Sequence, residues 1–385
     1  MTIRIAVSVT VEQARELSED GPRRDFLELA RSTGGELLFQ SRPAGRGGLR
    51  AKLFGPHLRQ AWMLARRSRS GDRLFADGEH MGLPLLLFLA LLRTHPERVV
   101  VLGHLLTRPW KLLLLWLATR IGPGGVLVVH STAQASAVRR WLGGRWSVEL
   151  VPYQVDTAFW SPTPGDPAAP PRREPPLILA VGSENRDYER LVQAVHGHPA
   201  RVVIAAGSHW ARRLAGSTSF PPNVDYRTDV LSFAELRGLY ASASVIVVPL
   251  LNVPNQSGVT TILEAFSMGL PVIVTATDGQ RECVTGPLVT AGLVDHRATR
   301  DRGPHLFQDR SPGEETTGLY VLPGDALALR RALECLLSDS DLRSQLGDAA
   351  RRSALQHFTI ERYTARLEHL LLGSTQPVAG PAVQA

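Results

Sequence analysis

The 385-residue sequence is poor in cysteine, in lysine and in long hydrophobic runs. Its two cysteines, Cys283 and Cys335, lie far apart without a CxxC spacing, which argues against a zinc site or a disulfide framework. The longest apolar runs, 83–92 and 112–118, are too short to cross a bilayer. Because the N-terminus also lacks the apolar core of a signal peptide, we expect a protein of the reducing cytoplasm.

Lysine occurs only at Lys52 and Lys111, so arginine supplies nearly all of the 43 cations and the formal net charge of +7. With abundant Ala, Gly, Leu and Pro, this composition is typical of a GC-rich genome and indicates little about partners. No nucleic-acid-binding motif accompanies the charge, so we expect no nucleic-acid partner. The length is sufficient for two domains.

Cations concentrate within residues 42–69, interleaved with leucines and a tryptophan. The second part of this cluster predicts a helix in which Leu58, Trp62 and Ala65 share one face. One interpretation is an ordinary domain helix with an Arg-rich polar face, which the composition favours. The other is a peripheral contact with an anionic membrane, at its inner face, through residues 50–69.

The first half alternates short β-branched runs with helical segments, a pattern typical of a parallel sheet covered on both faces. The predicted strands are 3–9, 36–40, 73–76, 98–102, 125–129 and 148–151. The clearest predicted helices are 26–31, 83–92, 111–120 and 133–142. Loops at the carboxyl ends of such strands carry ligand contacts, which makes His104 a candidate and His80 a weaker one. After the next strand, Ser131 is better explained as a helix N-cap, so we leave His130 out.

The second half restarts the same α/β pattern after a run with seven prolines, residues 161–176. We therefore predict an N-terminal domain (1–160), a linker (161–176), a C-terminal domain (177–357) with an insertion (286–317), a helix crossing back (358–373) and a disordered tail (374–385). His296, Asp295, Asp301, His305 and Asp309 in the insertion fit no metal-ligand spacing. Likewise Asp339-Ser340-Asp341 is better explained as helix capping than as a metal motif.

The most informative stretch is 255–274, NQSGVTTILEAFSMGLPVIV. It predicts a loop, a short helix opened or capped by Thr260 or Thr261, and a buried strand. The start of the helix offers free N–H groups and a dipole that favours an anion, and Glu264 follows one turn later among apolar residues. A ribose diol would give this carboxylate two donors, so the stretch indicates a nucleoside-diphosphate site. An ordinary αβ corner with a surface glutamate is the alternative.

This stretch resembles the donor segment of retaining GT-B glycosyltransferases, glycosyltransferase family 4 in particular. The family pattern is a Glu, seven residues, a second Glu and A-x-x-x-G-x-P-V. Glu264 matches the second Glu, and Gln256 stands where the first is expected. Two further segments resemble the family: VPYQVDT at 151–157 and TGLYVLPGD at 317–325.

The resemblance implies two Rossmann-like, doubly wound α/β domains facing a central cleft, without a bound metal or cofactor. It implies transfer of a sugar from a nucleotide-diphosphate sugar to a hydroxyl, with retention, on a glycan, lipid-linked or small-molecule acceptor. The catalytic candidates are His104, which would touch the donor sugar, Arg186, which would clamp the diphosphate, and Gln256. The donor-binding candidates are Gly182, Arg186, Ser257, Gly258, Val259, Thr260, Thr261 and Glu264.

Two other functions stay open. A nucleotide-sugar epimerase shares the fold but needs acidic residues that we do not identify in this sequence. The other is a non-catalytic GT-B protein that binds a nucleotide sugar and serves as a partner subunit.

Overall fold

The computed structural model describes residues 1–40, 55–106, 108–162, 175–207, 220–290 and 315–373. These form two compact units, of which the second is Tyr153–Thr359. The first unit combines Met1–Pro152 with the segment from Ile360 onward, so the C-terminal helix belongs to it. The predicted tail, most of the linker and most of the insertion, including its five His and Asp residues, lie outside the described residues.

The described strands form one parallel sheet in each unit. In the first unit they are β1 (Ile3–Ala6), β2 (Glu36–Leu38), β3 (Arg73–Ala76), β4 (Arg98–Leu102), β5 (Gly125–Val129) and β6 (Trp146–Leu150), in the order β2-β1-β3-β4-β5-β6. In the second they are β7 (Leu177–Val181), β8 (Arg201–Ala205), β9 (Val224–Arg227), β10 (Val245–Val248), β11 (Val272–Thr275), β12 (Leu288–Val289) and β13 (Gly318–Val321), in the order β12-β13-β11-β10-β7-β8-β9. The doubly wound α/β class predicted from the sequence is confirmed.

The described helices cover the faces of these sheets. They are α1 (Val11–Ser18), α2 (Asp25–Thr33), α3 (Pro56–Arg67), α4 (Glu79–Leu91), α5 (Pro109–Ile121), α6 (Thr132–Arg139), α7 (Tyr188–Val195), α8 (Phe233–Ser242), α9 (Val259–Ser267), α10 (Ala326–Ser338), α11 (Ser340–His357) and α12 (Ile360–Leu372). None of the helices in the described ranges is long and apolar enough to cross a membrane.

Alternate residues of each strand enter different cores, because successive side chains point to opposite faces. In β4, Val99 and Val101 join the cluster under α3, α4 and α5. Val100 and Leu102 join the cluster under α2 and α12. The first sheet is therefore buried on both faces, as parallel sheets are.

Helix α3 forms where it was predicted, but its buried side also contains a polar side chain. Gln60 is buried and donates from Nε2 to the carbonyls of Val7 and Leu38, at 2.8 and 2.7 Å. Trp62 is only half-buried and packs edge-on against Phe88 of α4, with ring centroids 5.2 Å apart. Of the residues predicted to share one face, Ala65 is buried and Leu58 and Trp62 are half-buried, and the hydrogen bonds of Gln60 add this polar side chain to the buried side.

Each sheet has a switch point, where the strand order reverses and the connections of two adjacent strands lead to opposite sides of the sheet. In the second sheet, β7 lies between β8 and β10, and in the first, β1 lies between β2 and β3. Ligands of open α/β sheets bind outside the carboxyl ends of the strands at such switch points. The predicted donor segment follows β10, at the switch point of the second sheet.

Candidate active site

Two loops meet at the carboxyl ends of β7 and β10 and hydrogen-bond to each other. The Asp187 N–H donates to the Pro249 carbonyl at 3.0 Å, and the Leu251 N–H donates to the Asn185 carbonyl at 2.9 Å. These bonds hold the loop after β7 against the loop that leads into α9. The candidate site of the second unit is built on this junction.

Helix α9 begins directly after Gly258, whose φ of +81° lies in the left-handed region that favours glycine. A Cβ at this position would lie 2.6 Å from Cγ1 of Val248. No side chain caps the helix, so the expectation that Thr260 or Thr261 does so is wrong. Glycine is needed here because both the backbone conformation and the contact with β10 exclude a side chain.

The first turn of α9 leaves backbone N–H groups without acceptors in the helix, at Val259, Thr260 and Thr261. Together with the helix dipole, such groups bind anions. Thr260 is exposed, whereas the Val259 and Thr261 side chains are buried. Solvent therefore reaches the helix at its first turn, where the sequence predicts a diphosphate.

Arg186 lies beside this helix start and is buried. Its Nη2 donates to the Thr261 hydroxyl at 3.2 Å, and a Cβ on Gly258 would lie 3.3 Å from its Nη1. Gly182, with φ +92°, makes room for the guanidinium on the other side, since a Cβ there would lie 2.7 Å from Nη2. The two glycines predicted to approach a ligand thus approach Arg186.

The other bonds of Arg186 hold the loop that carries it. Nε donates to the Val181 carbonyl at 3.0 Å and Nη1 to the Glu184 carbonyl at 2.9 Å. Burial lowers the pKa of the guanidinium, although nearby Tyr188, Tyr240, Glu184 and Glu264 oppose the shift. An arginine still stays charged. The structure therefore places a positive charge behind the helix start, with three of its five N–H donors already used.

Glu264 is half-buried on α9, one turn after the helix start. Its Oε2 accepts a hydrogen bond from the Tyr240 hydroxyl of α8 at 2.8 Å. Burial and the Glu264 carboxylate raise the pKa of Tyr240 well above its ordinary value, so the phenol stays a donor. The carboxylate is thus held by a neutral donor and is not a loose surface glutamate.

Gln256, which stands where the resembling family has its first glutamate, turns toward the core. Its Nε2 lies 3.9 Å from the Sγ of buried Cys283. Its Oε1 is buried and accepts no hydrogen bond from the described residues. Burial raises the pKa of the Cys283 thiol, so the thiol is neutral.

Ser257 joins three segments that the sequence did not connect. Its hydroxyl accepts from Asn185 at 2.9 Å and from Asn255 at 2.7 Å. Its carbonyl accepts from Nε2 of buried Gln280, which lies in the loop after β11. Asn185, Gln280 and Tyr240 were missed in the sequence analysis. Asn185 has a positive φ of 52°, a backbone conformation in which asparagine is enriched. The asparagine before Arg186 is therefore the one local signal in the sequence that predicts this loop conformation.

A second polar cluster lies at the switch point of the first sheet. Asp77, just after β3, accepts from the Ser8 N–H at 2.7 Å and from the Ser8 hydroxyl at 2.9 Å. Its Oδ1 is buried and accepts no hydrogen bond from the described residues. Burial raises the pKa of Asp77 to about 6 despite the Ser8 bonds.

His104 belongs to this second cluster, in the loop after β4. Its Nε2 donates to the Asp77 carbonyl at 2.9 Å, and its N–H donates to Oε2 of Glu79 at 2.9 Å. The neighbouring His130 is buried and donates from Nδ1 to the Val151 carbonyl at 2.9 Å, which is a structural bond. As predicted, Ser131 caps α6, with its hydroxyl accepting from the Gln134 N–H at 3.2 Å.

Within the described ranges, no group of three His, Cys, Asp or Glu side chains is arranged to hold a metal ion. Asp339 accepts from the Leu342 N–H at 2.8 Å and is the N-cap of α11, which confirms capping at the D-x-D sequence. Cys283 and Cys335 are both free thiols.

Comparison with known proteins gives a family match for part of the chain and a fold for almost all of it. Residues 175–339 match the family model described as glycosyl transferases group 1. No curated protein matches the chain.

Solved structures match almost the whole chain at low identity. Sucrose-phosphate synthase (tll1590) from Thermosynechococcus elongatus is 18% identical, with 97% of this chain and 99% of that one covered and a TM-score of 0.67. Anabaena Alr3699/HepE in complex with UDP-glucose is 13% identical, with 97% and 100% covered and a TM-score of 0.65. The α,α-trehalose 6-phosphate synthase from Burkholderia multivorans is 13% identical, with 97% and 99% covered and a TM-score of 0.66.

At these identities the likeness establishes the fold, and the family match covers the unit that contains α9, Arg186 and Glu264. Residues 175–339 therefore resemble the glycosyl transferases group 1 family, and the chain has the GT-B fold of the solved structures that it matches.

Proposed function

We propose that the protein transfers a sugar from a nucleotide-diphosphate sugar to a hydroxyl of its acceptor, with retention at the anomeric carbon, as family 4 enzymes do. The proposal depends mainly on the position of Glu264, a half-buried carboxylate that accepts a hydrogen bond from Tyr240. It lies one turn after the start of a helix whose N-cap, Gly258, has a left-handed conformation. This pairs a site for an anion with a site for a diol at the switch point of one sheet.

In this proposal the diphosphate lies against the N–H groups from Gly258 to Thr261, and the ribose hydroxyls donate to Glu264. The charge of Arg186 and the α9 dipole stabilise the diphosphate as it departs, which is the role that a metal ion plays in other transferases. The departing diphosphate then takes the proton of the acceptor hydroxyl. Ser257 and Gly182 shape the loops around it.

Gln256 and His104 have weaker roles in the proposed chemistry than the resemblance alone implies. An amide next to a neutral thiol does not offer the charge of a carboxylate, so the diphosphate itself would carry most of the stabilisation. His104 and Asp77 are proposed to hold hydroxyls of the donor sugar or acceptor, since an imidazole and a carboxyl group both bond to them.

UDP-glucose is the first donor to test, because Alr3699/HepE holds it on the same fold. The acceptor class stays open among glycans, lipid-linked saccharides and small molecules. We place the reaction in the cytoplasm, in line with two free thiols. Neither the epimerase nor the non-catalytic binding protein gains support from the comparisons.

The test is release of nucleoside diphosphate from a panel of nucleotide sugars, with and without candidate acceptors. Glu264→Gln should reduce turnover at subsaturating donor by about 10- to 100-fold, since it removes charge-assisted hydrogen bonds. Glu334→Gln, on the exposed side of α10, is the matched control and should behave as wild type. Binding of the donor without any release, in the presence of every acceptor class, would contradict the transferase proposal and favour a binding protein.

A further inference from the structure

Helix α5 of the first unit exposes large apolar side chains to solvent. Trp110 and Leu113 are each 59% exposed, Ile121 is 52% exposed, and Trp116 and Leu117 are 39% and 41% exposed. Trp110, Leu113, Leu117 and Ile121 follow one another at spacings of three or four residues, and Trp116 lies three residues after Leu113, so the five form one continuous stripe. We define these five residues as the α5 stripe.

The stripe is not simply the edge of the core. The opposite side of α5 is buried through Leu112, Leu115 and Ala118, which join the core under the first sheet. The helix is therefore apolar on both sides, a pattern that predicts burial of both. Contiguous exposed apolar surface of this kind marks a site where another surface binds.

The neighbouring helices also expose apolar side chains. Helices α3, α4 and α5 pack side by side over the first sheet. Leu91 and Leu92, at the end of α4, are 71% and 37% exposed, and Met63 of α3 is 36% exposed.

The charge around the stripe has one sign. Arg108 and Arg120 are exposed at its two ends, and Arg120 stacks on Trp116 with its Cζ 4.7 Å from the ring centroid. Among the residues of α3, α4 and α5 the one carboxylate is Glu79, which is buried and paired with Lys111 at 2.5 Å. Residues 98–148 contain no Asp or Glu. No exposed anion on these helices therefore opposes a negatively charged partner.

We infer that the α5 stripe docks on the surface of an anionic lipid bilayer, with its Trp and Leu side chains at the level of the headgroups and Arg108 and Arg120 on lipid phosphates. Amphipathic Trp rings and flanking cations are what a bilayer interface binds. A second copy of the same face would bring arginines against arginines, which disfavours self-association. With 13 residues, α5 is too short to span the bilayer and would lie along it.

The inference moves the membrane contact away from residues 50–69. Residues 50–54 lie outside the described residues, and Trp62, which was predicted to enter lipid there, is half-buried against Phe88. The exposed Arg59 and Arg66 of α3 remain available as additional cations. The docking surface does not depend on the proposed transfer reaction and is tested without it.

The experiment is co-sedimentation of the full chain with vesicles of phosphatidylcholine alone or with about one third phosphatidylglycerol. Wild type should bind the anionic vesicles at least tenfold more strongly than the neutral ones. The stripe variant Trp110→Ser, Leu113→Ser, Trp116→Ser should bind at least tenfold more weakly. Because each arginine near such a surface contributes about a fivefold factor, Arg108→Gln with Arg120→Gln should lose more than tenfold.

The matched control removes three apolar side chains that are also exposed but lie in the second unit: Val230→Ser, Leu327→Ser and Leu355→Ser. It should bind vesicles within about twofold of wild type. In a measurement that needs no variant, lipids brominated in the acyl chain should quench the tryptophan fluorescence of wild type.

Three results would overturn the inference. Wild type could stay in the supernatant without quenching, or the control could lose as much binding as the stripe variant. Alternatively, wild type could be a dimer that the stripe variant dissociates, without binding vesicles, which would assign the stripe to self-association. Thermal unfolding of each variant establishes that it is folded before it is compared.

Discussion

Glu264 and Gly258 contribute to the candidate site in different ways, one by its charge and the other by having no side chain. The carboxylate is held by Tyr240, and the glycine opens α9 at a positive φ next to Val248 and Arg186. Each contribution can be removed separately.

Gly258→Ala should both destabilise the protein and weaken nucleotide binding. Its added Cβ meets Val248 at 2.6 Å and forces a left-handed conformation, for an expected loss of about 2–4 kcal/mol in the free energy of unfolding. Gly324→Ala is the matched control, since Gly324 has φ +76° but an added Cβ there would meet nothing within 4 Å. It should lose only about 1 kcal/mol and bind normally. Equal losses in urea denaturation would contradict the role given to the contact with β10.

Tyr240→Phe removes the hydrogen bond to Glu264 while keeping the ring in the core. We expect a loss of about 1 kcal/mol in stability and a three- to tenfold weaker affinity for UDP, because the carboxylate is no longer oriented. Calorimetric titration and urea denaturation of the same variant separate the two effects. An unchanged affinity would show that Tyr240 serves only the fold.

The sequence pattern predicts Glu264 as a site residue, and this stays a prediction, but it does not predict the partners of Glu264. Tyr240, Asn185 and Gln280 contact residues 24, 72 and 23 positions away in the chain. Which side chains meet across such distances depends on strand order and helix rotation, which hydrophobic periodicity does not encode.

At the scale of elements, buried strands were the most predictable part of the fold. β3, β4 and β5 have the predicted bounds, because each is a short run of buried residues between turn signals. Helix α1 was missed, since it is short and polar, although Thr10 and Gln13 form the capping box that signals its start. The bounds of helix α5 were predicted within one or two residues. Its exposed apolar side was not predictable, because the sequence of the helix is apolar on every side.

The buried His130, directly after β5, predicts how the free energy of unfolding depends on pH. Burial, with a smaller effect of His104, lowers the pKa of His130 to about 3, below its ordinary value of about 6.5. The unfolded chain therefore binds the proton first, so the stability that His130 contributes is complete above about pH 6.5 and falls below it. Asp77, with its pKa raised to about 6, acts in the opposite direction.

His130→Asn keeps a donor for the Val151 carbonyl but does not titrate. Between pH 7 and pH 5 it should lose about 2 kcal/mol less stability than wild type. Urea denaturation at both pH values gives, for each protein, the change in the free energy of unfolding with pH. The pH-independent cost of the substitution cancels in this change. Parallel slopes would contradict the assignment of a depressed pKa to His130.

On the scale of the whole molecule, alternation of strands and helices was sufficient to predict two α/β sheets, and the resemblance predicted their GT-B arrangement of strands and helices, which the solved structures match. The order of the strands was not predictable from periodicity, yet that order places β7 and β10 side by side and so creates the site. The uniform arginine content masked a local feature, the absence of acidic residues from 98 to 148.

We expect nucleotide binding to need no divalent cation, because α9 and Arg186 supply the positive charge. Affinity for UDP in excess EDTA should lie within about threefold of the affinity in millimolar magnesium. A gain of more than tenfold with magnesium would show that the metal carries part of the binding.

Calorimetric titration of wild type and Glu264→Gln with UDP and GDP tests the proposed nucleotide site at α9 and Glu264 most directly. We expect wild type to bind at least one nucleotide with micromolar affinity, Glu264→Gln to bind it about 10- to 100-fold more weakly, and Glu334→Gln to bind it as wild type does. Binding that is equally tight in the Glu264 variant would contradict the placement of the ribose. No binding of either nucleotide to wild type would contradict the donor site itself.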